Sequence, residues 1–134
     1  MRTGLIAYLS TAAILVMLDL VWLKLAMGPL YQKTLGPLLA ETPALLPAVI
    51  FYLMYAAGVV FFAVWPGLQG GDWRRAALYG AVLGLVAYGT YDLTNMATLK
   101  LWSARLTVLD IAWGTFLTAT AAAAGTAVTL ALEK

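Results

Sequence analysis

Tyr88-Gly89-Thr90-Tyr91-Asp92-Leu93-Thr94-Asn95 lies inside an apolar run long enough to cross a bilayer, yet it carries a carboxylate, an amide, two phenols and two hydroxyls. Groups of this kind are costly in hydrocarbon, so they must face protein, water or a ligand. Two other stretches share the character: Asp19-Leu20-Val21-Trp22 and Asp110-Ile111-Ala112-Trp113-Gly114. The expectation is that all three meet in one polar pocket between helices.

Composition explains why they have so few alternatives. Of 134 residues, 63% are hydrophobic and only 10% are charged, against about 25% charged in a soluble domain. So few charges cannot cover a water-facing surface, and the excess apolar side chains must face lipid. The bilayer is therefore the first expected partner. The formal net charge of +2 and scattered basic residues give no phosphate-tracking stripe, so nucleic acid is not expected. There is no cysteine and no histidine. Disulfides, thiolate sites, the usual general base and the commonest metal ligand are thus excluded, and no cofactor or metal site is expected.

Taken in order, the chain predicts an all-α, polytopic membrane four-helix bundle with up-down-up-down topology, forming one domain over residues 1–134. The spans are expected at about 5–25, 44–65, 75–96 and 109–132, each near the roughly 20 residues that a helix needs to cross. The first run is too long for the apolar core of a signal peptide and reads as a retained helix. Gly28-Pro29 and Pro66-Gly67 read as helix stops, with an interfacial connection over 30–43. Gln69-Gly70-Gly71 reads as a tight turn and Asp72 as the cap of the third helix. Ala76, Gly80 and Gly84 repeat at every fourth position, the pattern that lets helices approach closely in lipid. Gly114, Thr118, Ala121 and Gly125 offer similar faces on the fourth. Both termini fall on one side, with Arg2, Arg74, Arg75 and Lys134; Lys24, Lys33, Lys100 and Arg105 lie on the other, Lys24 at a helix edge, and the termini are expected in the cytoplasm.

Topology alone brings the acids together. Asp19 lies about 9 Å inside the end of the first span, Asp92 a similar distance inside the end of the third, and Asp110 opens the fourth. All three occupy the same half of the bundle, away from the termini. Asp19 shares a helical stripe with Tyr8, Leu15, Trp22 and Ala26; Tyr88, Tyr91, Asp92 and Asn95 share another; Asp110, Trp113 and Gly114 a third. The candidate ligand-binding residues are therefore Asp19, Trp22, Tyr88, Tyr91, Asp92, Asn95, Asp110 and Trp113, with no catalytic or metal-binding residue among them. Each has a plainer role open to it. Asp110 reads equally well as a helix N-cap, Asp92 as a shallow acid reaching Lys100, and the tryptophans as aromatics at headgroup level.

Asp19-x-x-Trp22, the run from Tyr88 to Asn95 and Asp110-x-x-Trp113-Gly114 together resemble a family of small bacterial membrane proteins known as a domain of unknown function. The resemblance covers essentially the whole chain and implies a four-span protein of the bacterial inner membrane; it implies no catalytic role. In size, and in the acid of its first span, the chain also looks like the small multidrug resistance transporters, but those carry a buried glutamate where this chain has aspartates. Three functions follow as expectations. An acidic, aromatic pocket would bind or transport a small molecule, cationic for preference. A non-catalytic subunit would use the small-residue faces to dock a second copy or a membrane complex. An enzyme acting on lipid headgroups ranks behind both, because no nucleophile motif accompanies the acids.

Overall fold

The computed structural model describes residues 1–134 and contains four helical runs. They are α1 (Arg2–Leu38), α2 (Leu45–Gly70), α3 (Trp73–Thr98) and α4 (Ala104–Leu132). The result is an all-helical bundle of up-down-up-down order, its two ends joined by a hydrogen bond from the Thr3 hydroxyl to the Glu133 carboxylate. By length and composition α1, α2 and α4 are apolar enough to cross a membrane. Helix α3 is as long, at 26 residues, but its tyrosines, threonines, glycines and Asp92 make it less apolar. Only 29 of 134 residues are buried, although 63% of the chain is hydrophobic. Most of the apolar surface therefore points outward, as lipid requires.

Helix α4 is the central element. Its buried residues run from Leu106 and Thr107 through Asp110, Gly114, Leu117 and Thr118 to Thr129, a helical period held over its whole length. Helix α1 buries Ala7, Thr11, Leu15 and Asp19, one per turn, against it. Helix α3 presents Ala76, Gly80 and Gly84 to the other flank. The approach there is backbone to backbone. A Cβ placed on Gly80 would stand 2.7 Å from the Thr118 carbonyl oxygen, and one on Gly84 would stand 2.3 Å from that of Gly114. The expected result for Gly84→Ala is destabilisation by about 1–3 kcal/mol, read as thermal unfolding in detergent. Gly58→Ala, whose Cβ would meet nothing within 4 Å, serves as the control and should be neutral or slightly stabilising.

Both expected helix stops are overridden. At Gly28-Pro29 the helix widens into a π turn over Met27–Gln32 and continues to Leu38. Before Pro66 it widens again over Val60–Val64 and continues to Gly70. A π turn admits one extra residue and relieves the clash between a proline ring and the preceding turn, so proline need not end the helix. The first π turn also resets the phase of α1. Leu30 and Leu35 turn inward to pack with Ala26, Trp102 and Leu106, so the expected interfacial connection is a plug across this end of the bundle. The fourth helix starts earlier than expected. Ser103 is its N-cap, accepting from the Leu106 amide at 3.1 Å, so Asp110 is not a cap but a buried residue of the second turn. Gly71 adopts the left-handed conformation at φ 61° and Asp72 accepts from the Arg74 amide at 2.9 Å, which makes the tight turn and the α3 cap as read.

Candidate functional site

Asp19, near the middle of α1, is only 8% exposed. Its two carboxylate oxygens accept from the Tyr52 hydroxyl of α2 and from the Trp113 indole N–H of α4, the latter at 3.1 Å. Three helices are thus tied at one carboxylate. The Trp113 ring lies flat on Trp22, with centroids 4.9 Å apart and planes within 5°. The Trp22 indole donates in turn to the Tyr31 hydroxyl at 3.3 Å, and that hydroxyl donates to Asp110 Oδ1. The first π turn makes this last link, by carrying Tyr31 round to the α4 side.

Asp92 is wholly buried and receives no hydrogen bond from any donor of the chain. The acid nearest to it is Asp110. The partners of Asp19 and Asp110 are phenol and indole groups, all neutral. Lys100, read as a possible partner of Asp92, is exposed in the α3–α4 connection, and Arg105 is exposed in the first turn of α4.

These groups frame a cavity of about 510 Å³. Asp19, Trp22, Leu23 and Met27 come from α1, with Tyr31 beyond them; Phe51, Met54 and Tyr55 come from α2; Ala87, Tyr88 and Tyr91 from α3; and Asp110 from α4. The lining is apolar and aromatic except at the two carboxylates and the phenols. Sites for small molecules have volumes of about 300–1,000 Å³ and the same makeup, a greasy wall with a few fixed polar groups.

Of the residues expected at a pocket, Asp19, Trp22, Tyr88, Tyr91 and Asp110 line this one. Trp113 stands behind Trp22, so the two indoles stack on each other and only Trp22 faces the space. Asp92 lies behind Asp110. Asn95 is outside the lining; its carbonyl accepts from the Leu99 amide at 2.8 Å where α3 ends. Sequence reasoning missed Tyr31, Phe51, Tyr52 and Tyr55. The spacing of Phe51, Tyr52 and Tyr55 puts three aromatics on one face, and phenols within an apolar span need buried acceptors. That signal was available.

The small-residue faces are used within the chain. Gly80 and Gly84 pack on α4, a Cβ on Gly114 would collide with the Tyr88 ring at 2.1 Å, and one on Gly125 would stand 2.1 Å from the Thr11 hydroxyl. The pattern that suggested docking of a partner is therefore spent on the bundle itself.

No curated protein and no solved structure matches the chain. The family described as Predicted membrane protein (DUF2177) matches residues 4–127, nearly the whole length and including every helix that lines the cavity. The chain belongs to that family of membrane proteins.

Proposed function

We propose that the chain binds a small organic cation in the cavity between its helices, as a membrane receptor or carrier for it. One observation supports this reading above the others: two carboxylates reach an apolar, aromatic cavity, and every donor that holds them is neutral. A cation entering this space finds opposite charge in a low-dielectric setting and aromatic faces beside it. The enzyme reading ranks behind it, because no nucleophile motif accompanies the acids.

The reading includes the setting. We take all four helices to cross the bilayer of a bacterial inner membrane. At 1.5 Å per residue, α3 is about 39 Å long, and it packs along α4. We also place both termini in the cytoplasm, counting Arg2, Arg74, Arg75 and Lys134 on that side against Lys33, Lys100 and Arg105 on the other, with Lys24 discounted at its helix edge. A reporter that fluoresces only in the cytoplasm, fused after Lys134, should then be bright, and a reporter active only outside should be silent at the same position. The reverse pattern sinks this orientation.

Tetraphenylphosphonium and tetraphenylborate share a shape and differ in charge, which makes them a suitable pair for the binding claim. The phosphonium should raise the unfolding temperature of the purified protein by several degrees near saturation, and the borate should not. Equal stabilisation by both would mean that the cavity sorts by greasiness alone, and the cation reading fails.

A further inference from the structure

The cavity has walls on most sides and one gap. Toward the core it is floored where Tyr55 and Tyr88 meet edge to face at 6.2 Å. At the opposite end the plug of Leu30, Leu35, Trp102 and Leu106 lies across the bundle. Helix α4 and the stacked indoles form the back. The remaining side lies between the first half of α2 and the second half of α3. There α2 packs on α1 and scarcely touches α3, whereas its second half packs closely on α3. Every residue from Glu41 to Ile50 is exposed, so the start of α2 leans out of the bundle. The rim residues show it too: Met54 is 65% exposed and Tyr91 54%, although both line the cavity.

What borders the gap is apolar. On the α2 side the exposed Ile50 stands one turn before Met54 on the same face. On the α3 side, the Thr90 and Thr94 hydroxyls donate to the carbonyls of Val86 and Thr90 in their own helix. They need no water, and such a surface is at ease against acyl chains.

Building on the cation reading above, we infer that the cavity opens sideways to the bilayer between α2 and α3, and that its ligand is a single-tailed cationic amphiphile entering from the lipid. The head passes Met54 and Tyr91 to reach Asp19 and Asp110 in the depth of the cavity. The tail stays along Leu23 and Phe51 or trails through the gap. An amphiphile fits the layout better than a compact water-soluble cation, because the charge-bearing groups are innermost and the approach to them is greasy. Entry from the lipid also avoids the plug at the end of the bundle.

The chain has no cysteine, so a Met54→Cys/Tyr91→Cys variant carries one thiol pair, one member on each side of the gap. The probe is dodecyltrimethylammonium carrying bromine on its terminal carbon, added to proteoliposomes and read by quenching of tryptophan fluorescence; Trp22→Phe marks how much of the signal belongs to the cavity. Joining the two thiols with a bis-maleimide should slow that quenching by about tenfold or more relative to the same protein unjoined, and excess aqueous tetramethylammonium should not displace the probe. Unchanged quenching after joining overturns the lateral entrance, and displacement by tetramethylammonium then points to entry from water. Quenching that is the same in Asp19→Asn as in wild type overturns the cation reading itself, whatever the joined variant does.

Discussion

Asp19→Asn should weaken binding of an organic cation by about 30-fold to 1,000-fold, or roughly 2–4 kcal/mol, while leaving the bundle folded. The size follows from removing one full charge close to the ligand in a partly buried setting, where a pair of charges about 4 Å apart is worth about 4 kcal/mol. The amide keeps an oxygen for the Trp113 indole or the Tyr52 hydroxyl, so the tie between α1, α2 and α4 is loosened but not lost. Tyr52→Phe separates the two effects. It removes one donor to Asp19 and leaves the charge, so it should cost stability of about 1 kcal/mol and leave affinity within a few-fold. Calorimetric titration with tetraphenylphosphonium, after checking each variant by gel filtration and thermal unfolding, reads both quantities. If Tyr52→Phe weakens binding as much as Asp19→Asn does, the carboxylate acts through the shape of the site and not through its charge.

Trp113→Ala should be the most disruptive single change at the site, lowering stability by about 3–5 kcal/mol. Its ring stacks on Trp22, tilts against Phe116 with centroids 5.7 Å apart and packs against the central apolar cluster; its N–H holds Asp19. Truncation opens a large void in the back wall and leaves a buried carboxylate short of a donor. Trp113→Phe is the informative companion. It restores much of the packing and removes only the indole N–H, so it should cost about 1–2 kcal/mol. Thermal or denaturant unfolding in detergent separates them. Equal losses for the two variants would place the main contribution in the hydrogen bond to Asp19 and not in packing.

The convergence of the acids was legible because two coarse constraints suffice for it. Helices of similar length in up-down order bring the end of the first, the end of the third and the start of the fourth to one depth, and Asp19, Asp92 and Asp110 sit at those places. Buried carboxylates in an apolar chain also have few other places to go. The Gly80 and Gly84 face was legible for a similar reason, since small residues at a fixed interval have no other obvious use in lipid. The course of the chain at its prolines was not legible. Gly28-Pro29 has every local mark of a stop, and only the tertiary gain from burying Leu30 and linking Tyr31 to Asp110 makes the π turn worthwhile. Asp110 was open to misreading as a cap because Ser103, the true cap, stands in a stretch that reads as loop. Tyr31 was passed over because it falls in a stretch that reads as an interfacial connection, and Tyr52 and Tyr55 because no acid in their own span marks what their hydroxyls would meet. Here each phenol reaches inward to an acceptor on another helix.

The measurement closest to the central claim is cation affinity across Asp19→Asn, Asp110→Asn and the double variant, with Asp72→Asn in the outer turn as reference. Residues 91 positions apart in the chain should then act on one ligand. Each single variant should weaken binding clearly, the double variant should bind weakest, and Asp72→Asn should match wild type. An Asp110→Asn protein that is folded and binds as Asp72→Asn does would contradict the account, because the acids of the first and fourth helices would not be facing a common site.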